Sequence, residues 1–470
     1  MTFRCFTRDF CLRYSAPQAR IGLDTAVNGY ADSLFSTDAM SAVFSTDAAL
    51  ARMLAFEAAL ARAQGAAGLI PKRAAETIAQ ACAADGFDAA AIAARARSAG
   101  APVIPLVKDL TARVAAIDPN AARYVHLGTT SQDVMDTALV LQLREAVALI
   151  DADLARIARA LEALARRHAD TPMLGRTLLQ PASPVSFGLK AAQWCAAVRR
   201  GRRRLDAAAR EAVVLQFGGA VGTLSAYADR GLALSQTLAA ELGLPLPAAP
   251  WHTQRDGLMA LAAAVAALSG TLGKTATDVA LLMQPEVAEA SEPHGAGRGS
   301  SSAMPHKRNP VGCMRALAAA KRAPGLLSTL LLAMVQEHER ALGGWQAEWT
   351  ALPELFCITA GAADAMAEVS EGLTVDPEVM RANLERCRGL AFSEALAGAL
   401  ARRLGKPAAQ DLVERASRTV LATGKDLTAV ARETPEIVRA LDADTLAAVF
   451  ALDRALGSAG ALMERLLAEE

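Results

Sequence analysis

Aromatic side chains make up only 4% of this 470-residue sequence, although 53% of its residues are hydrophobic. The apolar content is therefore mainly alanine, leucine and valine, and Ala and Leu lose little entropy on entering a helix. Helix is favoured over sheet. Charge of one sign is lacking too, because 49 basic residues balance 49 acidic ones. Such a chain offers no field to hold nucleic acid or an anionic membrane. A small positive cluster inside a cleft remains open to it. The seven cysteines (Cys5, Cys11, Cys82, Cys195, Cys313, Cys357, Cys387) are scattered, odd in number and without a CxxC pair. Disulfide frameworks and zinc sites both need clustering, so these read as reduced thiols of a cytoplasmic protein. The six histidines show no HxxxH or HExxH spacing, and no metal site is expected. Residues 1–30 hold no apolar run long enough for a signal peptide and read as a disordered extension, despite Arg4, Arg13 and Arg20. The weakly charged stretch from Asp256 to Lys274 is short and interrupted by Ser269 and Gly270. It reads as a buried core helix and not as a membrane span.

What is present is helical periodicity. Leu143, Val147, Ile150, Leu154, Ile157, Leu161 and Leu164 alternate spacings of four and three, the stripe of a long helix packed lengthwise on others. Thr171-Pro172 stops that helix. Ser183-Pro184 predicts a restart through Trp194, with serine at the cap and proline in the first turn. Further long helices are expected over about 202–216, 255–284 and 312–341, with no alternation of strand and helix. Composition divides the chain into a front section (31–125), a long-helix centre (126–370) that reads as a bundle, and a tail (371–470) after Thr374-Val375-Asp376-Pro377.

Polar residues gather at three breaks. In HLGTTSQD (His126–Asp133), Thr130 and Asp133 match a capping box, which leaves His126, Thr129 and Ser131 unexplained. A helix start presents free amides and hydroxyls that suit a carboxylate or phosphate. In GRTLLQPASP (Gly175–Pro184), Arg176, Thr177 and Gln180 follow a helix end, where satisfying carbonyls is the plainer role. HGAGRGSSSAMPHKRNP (His294–Pro310) is flexible at its glycines and stiffened by Pro305 and Pro310. No Gly-Lys-Ser/Thr follows the glycines, so it is not a P-loop. Its serines, lysine, histidine and asparagine could close on an anion and exclude water.

SSSAMPHKRNP resembles the GSSxMPxKxNP signature of the fumarase/aspartase superfamily, a long and specific motif. HLGTTSQD and GRTLLQPASP resemble that superfamily's first and second active-site regions, in the same order, and the likeness runs from residue 31 onward. The resemblance implies an all-α subunit of three domains with a central long-helix bundle. It also implies a homotetramer on a twenty-helix core, active sites made from three subunits, and no cofactor or metal. It makes Ser301 the catalytic acid/base and Lys307 its catalytic partner. His126, Thr129, Thr130, Ser131, Arg176, Thr177, Gln180, Ser302, Met304 and Asn309 become the groups that hold a small polycarboxylate substrate. One departure stands in the signature: Ser300 occupies the glycine position, with Gly299 one place earlier.

Within the superfamily, members that expel amines carry a histidine where this chain has Leu178. Proton donation contributes about 10²–10⁴-fold to expulsion of a poor leaving group. A carboxylate, with a reference pKa of about 4, leaves without a proton. Leu178 therefore points to lactone opening or its reverse. Four segments, Ala101–Lys108, His126–Arg144, Gly175–Trp194 and Gln336–Trp349, resemble the muconate cycloisomerase family, which implies interconversion of a carboxymuconate and its lactone in protocatechuate (beta-ketoadipate) catabolism. An adenylosuccinate lyase-like C–N lyase is the alternative enzyme, disfavoured by Leu178. A non-catalytic helical scaffold is the alternative outside enzymes, disfavoured by the intact Ser301, Lys307 and Asn309.

Overall fold

The computed structural model describes residues 33–295, 297–304 and 306–469; the extension 1–30 lies outside them. The striped segment forms helix Ser131–Arg167, 37 residues long. Leu143, Ile150, Leu154, Ile157, Leu161 and Leu164 are buried along it, and Val147 packs partly buried against the same core. Burial of each such side chain contributes about 1.5–3 kcal/mol.

Four more long helices complete a bundle with this one: Phe187–Ala212 and Gly344–Gly372 pack directly on it, Asp256–Leu282 packs on those two, and Val311–Ala333 packs on Asp256–Leu282 and Gly344–Gly372. Cross-links fix their directions. Arg255 at the start of the third reaches Asp136 near the start of the first, while Asp278 near its end takes the indole N–H of Trp194. Glu371, at the end of the last helix, pairs with Arg156 near the end of the first. The bundle therefore runs up and down in chain order, with the heads of the first, third and fifth helices at one end.

Three expectations are corrected here. Ser183-Pro184 does not start a helix: strand Pro172–Thr177 pairs antiparallel with strand Gln180–Ser186, and the helix begins at Phe187 under a Ser186 cap. Leu178 and Leu179 form the two-residue turn, with φ of 51° and 65°. Such a turn needs both central residues in the left-handed region and is ordinarily made by Asn-Gly, so no turn signal marks it. Gly175 sits at the bulge of the first strand, where a Cβ would lie 2.4 Å from the Ser183 carbonyl oxygen. The expected helix over 202–216 is the second half of Phe187–Ala212, and the one over 312–341 ends at Ala333. A second, minimal sheet pairs Ala290–Ser291 with Thr374–Val375.

The front core joins helices Thr46–Ala66, Lys72–Ala81 and Val103–Ile117 to Leu215, Phe217, Tyr227, Leu234, Leu238 and Leu244. Residues 215–244, placed in the centre by composition, thus pack with the front. The tail has its own core of Leu396, Leu400, Leu412, Val420, Leu427 and Ile437. Its last helix, Ala459–Leu467, returns Met463 and Leu467 to the bundle. Cys82, Cys195 and Cys313 are buried free thiols. Asp256–Leu282 and Val311–Ala333 are long and apolar enough to cross a membrane. Leu258, Leu261, Val265, Leu268 and Leu272 of the former are core residues, as expected of it.

Candidate active site

The first polar segment caps the head of helix Ser131–Arg167. Thr130 and Asp133 form the predicted capping box, with the Thr130 amide donating to Asp133 Oδ2 at 3.1 Å. The Asp133 carboxylate, fully buried, does more than cap. It accepts from the Thr129 hydroxyl (3.0 Å), from the amides of Gly218 and Gly219 (2.9 Å each) and from His252 Nε2 (2.7 Å). One carboxylate thereby ties the 126–133 segment to the 216–219 turn and to the approach of the third bundle helix. Thr129 spends its only proton on Asp133, which leaves the hydroxyls of Thr130 and Ser131 as donors for a ligand.

Around this head lies a polar layer that sequence reading missed. Buried Arg255 bonds Asp136 through Nη1 (2.7 Å) and Glu348 through Nε (3.1 Å), and stacks 4.7 Å from the Trp251 ring centre. The Trp345 indole donates to Asp136 at 3.0 Å. Arg340 reaches Gln132 Oε1 (2.9 Å) and the Ala220 carbonyl (2.7 Å), which places a further cation beside the segment. Arg340 belongs to the Gln336–Trp349 stretch, so the signal was present in the sequence without a role attached.

His126 has φ +59° and turns Nδ1 onto the buried carboxylate of Glu57 at 2.5 Å. Burial alone would lower its pKa. The hydrogen bond and charge of Glu57, with Asp133 behind, override that and raise it above the ordinary imidazole value.

The second and third segments lie at the opposite end of the bundle. Arg176 stands on the hairpin and grips fully buried Glu289 through both Nη groups, at 2.8 and 2.6 Å. Asn383 of helix Pro377–Arg386 donates to the same carboxylate at 2.8 Å. Thr177, Leu178, Leu179 and Gln180 are exposed at the hairpin tip, Leu178 by 97%. Lys190, in the first turn of the following helix, is held below its usual pKa chiefly by burial.

The serine loop is pinched at its neck. The Asn309 amide N–H and its side-chain Nδ2 both donate to the Gly299 carbonyl, at 2.9 and 3.2 Å. Gly299 has φ +65°, and a Cβ there would lie 2.5 Å from the Asn309 carbonyl oxygen. The glycine the neck needs is thus Gly299, and the departure at Ser300 falls outside the constriction. Asn309 spends its side chain on this neck and not on the open loop. Below it, buried Glu292 accepts from the Gly312 and Cys313 amides (3.0 and 2.7 Å), satisfying the free N–H groups of helix Val311–Ala333. Arg298 pairs with Glu368 at 2.6 Å. Within the loop the Ser301 hydroxyl accepts from the Met304 amide at 3.2 Å, while Ser302, Met304 and Lys307 are exposed.

Segments two and three therefore lie at one end of the bundle, and segment one lies at the other. A 37-residue helix separates the ends by about 55 Å. Among the described residues no group of three His, Cys, Asp or Glu side chains could hold a metal ion.

A family model described as lyase matches residues 34–325, and a model of the adenylosuccinate lyase C-terminus matches residues 389–466. The 3-carboxy-cis,cis-muconate cycloisomerase of Pseudomonas aeruginosa is 50% identical over 446 residues, 95% of this chain and 97% of that protein. The nitrosuccinate lyase of Streptomyces davaonensis is 44% identical over 437 residues, 91% of each chain. The crystal structure of 3-carboxy-cis,cis-muconate lactonizing enzyme from Pseudomonas putida superposes with a TM-score of 0.88 at 45% identity, covering 94% of this chain and 99% of that one.

Proposed function

This chain belongs to the fumarase/aspartase superfamily, and on that premise we propose that it is a cycloisomerase interconverting 3-carboxy-cis,cis-muconate and 4-carboxymuconolactone in protocatechuate (beta-ketoadipate) catabolism. One observation carries this reading: the serine loop is complete, while the hairpin presents exposed Leu178 where expulsion of an amine would need a proton donor.

In the lactonising direction one substrate carboxylate oxygen attacks the conjugated double bond of the same molecule. Holding the reacting conformer supplies a large effective molarity. The C–O bond forms, and the π electrons move to the carbon beside another carboxylate, giving an enediolate-like species. The Lys307 ammonium and loop amides stabilise that charge once water is excluded. Ser301 gives its proton to the carbon, and in lactone opening its alkoxide takes that proton back. Ser131 and Thr130 hydroxyls with His126 receive carboxylates from the other side. Arg176 borders the site with its charge fixed by Glu289, and Thr177, Gln180, Ser302 and Met304 line it.

The separation of the polar segments supports a homotetramer with shared sites, because the far end of the bundle must come from another copy. The Leu331, Leu332 and Val335 side chains, exposed near the end of helix Val311–Ala333, suit such an interface. Reduced thiols fit a cytoplasmic location. A variant altered in 126–133 mixed with one altered at Ser301 should regain partial activity after subunit exchange. Full activity from a monomer at high dilution, checked by light scattering, would overturn the shared site.

The decisive assay follows loss of the diene's ultraviolet absorbance with purified protein. Turnover of 3-carboxymuconate supports the reading. Inertness toward it, with cleavage of succinyl-AMP or nitrosuccinate instead, sinks it and leaves a C–N lyase.

A further inference from the structure

Glu57 lies 69 residues before His126 in sequence, on helix Thr46–Ala66, and belongs to none of the three polar segments. Its side chain is 1% exposed, yet its hydrogen-bond partner is the His126 ring and not an arginine or lysine. Nearby Arg62 pairs instead with Glu241 at 2.7 Å. A buried carboxylate paired with one imidazole is costly unless the pair is worth keeping.

We propose that Glu57 is a positioning residue that fixes the orientation of the His126 ring, so that its outward nitrogen receives a carboxylate of the substrate. The geometry sets the tautomer. A carboxylate only accepts, so Nδ1 carries the proton toward Glu57. Nε2 then points away from the helix Thr46–Ala66 side, and the ring keeps 19% exposure. The left-handed backbone at His126 turns the ring back toward that helix while the chain proceeds into the cap of helix Ser131–Arg167.

The ionisable groups facing this pair come from several elements. Asp133 at the head of helix Ser131–Arg167 adds negative charge behind the ring. Tyr227, whose hydroxyl donates to the neighbouring Leu127 carbonyl at 2.6 Å, is pushed up by burial and stays protonated. Cys82, beyond Glu57, is likewise pushed up by burial to about 12. The two carboxylates are therefore the charges that act on the imidazole, and both push its pKa upward. A group that only holds a carboxylate in place need not transfer a proton, which matches a reaction whose leaving group is a carboxylate. This rests on the proposed cycloisomerase reading for the identity of the ligand, but not for the state of the ring.

The test is a histidine titration by NMR on the assembled protein labelled with ¹³C-histidine, with the His126 signal assigned by its loss in His126→Gln. In Glu57→Gln the His126 pKa should fall by about 1 unit or more, the usual effect of removing a contacting opposite charge. The kcat/KM profile for 3-carboxymuconate, which falls as pH rises through that pKa, should shift to lower pH by the same amount. KM should carry the change while kcat holds, because the receptor binds ground state and transition state alike. Glu57→Asp should restore part of both shifts, and Glu57→Gln should add nothing in kcat/KM to His126→Gln. An unmoved His126 pKa in Glu57→Gln overturns the proposal, as does a moved pKa with an unmoved kcat/KM profile. If Glu57→Gln does not assemble, the wild-type titration decides: a His126 pKa at or below the ordinary value of about 6.5 overturns it. A wild-type protein inert toward 3-carboxymuconate sinks the functional reading alone, since the titration uses no substrate.

Discussion

The two ends of the bundle are built on opposite plans. At the head of helix Ser131–Arg167 the buried carboxylates are tied down: Asp133 alone gathers donors from three places in the sequence, and Arg255 is wedged between two carboxylates and a tryptophan. At the other end, the described hydrogen bonds of residues 300–308 stay inside the loop, and the connections to the body are made only at its neck and base. A site that binds anions gains from a receptor whose dipoles are fixed beforehand. A site that must exclude water gains from a segment with few contacts to break when it closes. On the proposed function, two demands that one rigid scaffold meets poorly are thus divided between the ends.

Four variants test this division. Ser301→Ala should lower turnover by about 10³-fold, within the range for loss of a general acid/base. It should change stability by less than about 1 kcal/mol, because the hydroxyl serves one exposed turn. Ser302→Ala should cost far less activity. If the effects of the two are reversed, the acid/base sits one residue on; if neither matters, the loop is not the reacting element. Asp133→Asn should act the other way round, costing about 3 kcal/mol in urea unfolding because buried donors lose a charged partner. Wild-type stability in that variant would remove the contrast between the ends. The smallest effect belongs to the hairpin tip. Leu178→Asn with Leu179→Gly suits the left-handed turn and should stabilise the hairpin by about 1 kcal/mol. Turnover should nonetheless fall, read by the same absorbance assay; unchanged turnover would show that an apolar tip is dispensable.

The sequence made the bundle legible because burial repeats along one helix, and positions from Leu143 to Leu164 carry the core as the stripe predicts. The capping box was legible because its two residues are three apart. The hairpin was hidden, since Thr171-Pro172 and Ser183-Pro184 carry the marks of a helix stop and start, and a Leu-Leu turn carries no turn chemistry at all. The Asp136–Arg255–Glu348 layer was hidden for another reason: its members lie 93 and 119 residues apart, and no local pattern joins them. Lys307 and Ser301 could be named from the motif, yet the use of Asn309 and Gly299 as the loop's neck emerges only from their facing geometry.

Helix Ser131–Arg167 also acts as a ruler. Removing seven residues from its middle would leave the apolar stripe nearly in phase, since a heptad drifts only about 20°. The core could re-form with its leucines facing inward. The distance between the two polar ends would nevertheless shrink by about 10 Å, and in the proposed tetramer a partner subunit presenting its own end at the original spacing would arrive off register. Substitutions along the shaft are constrained by packing, but on the shared-site proposal its length is constrained by what has to meet at the tips.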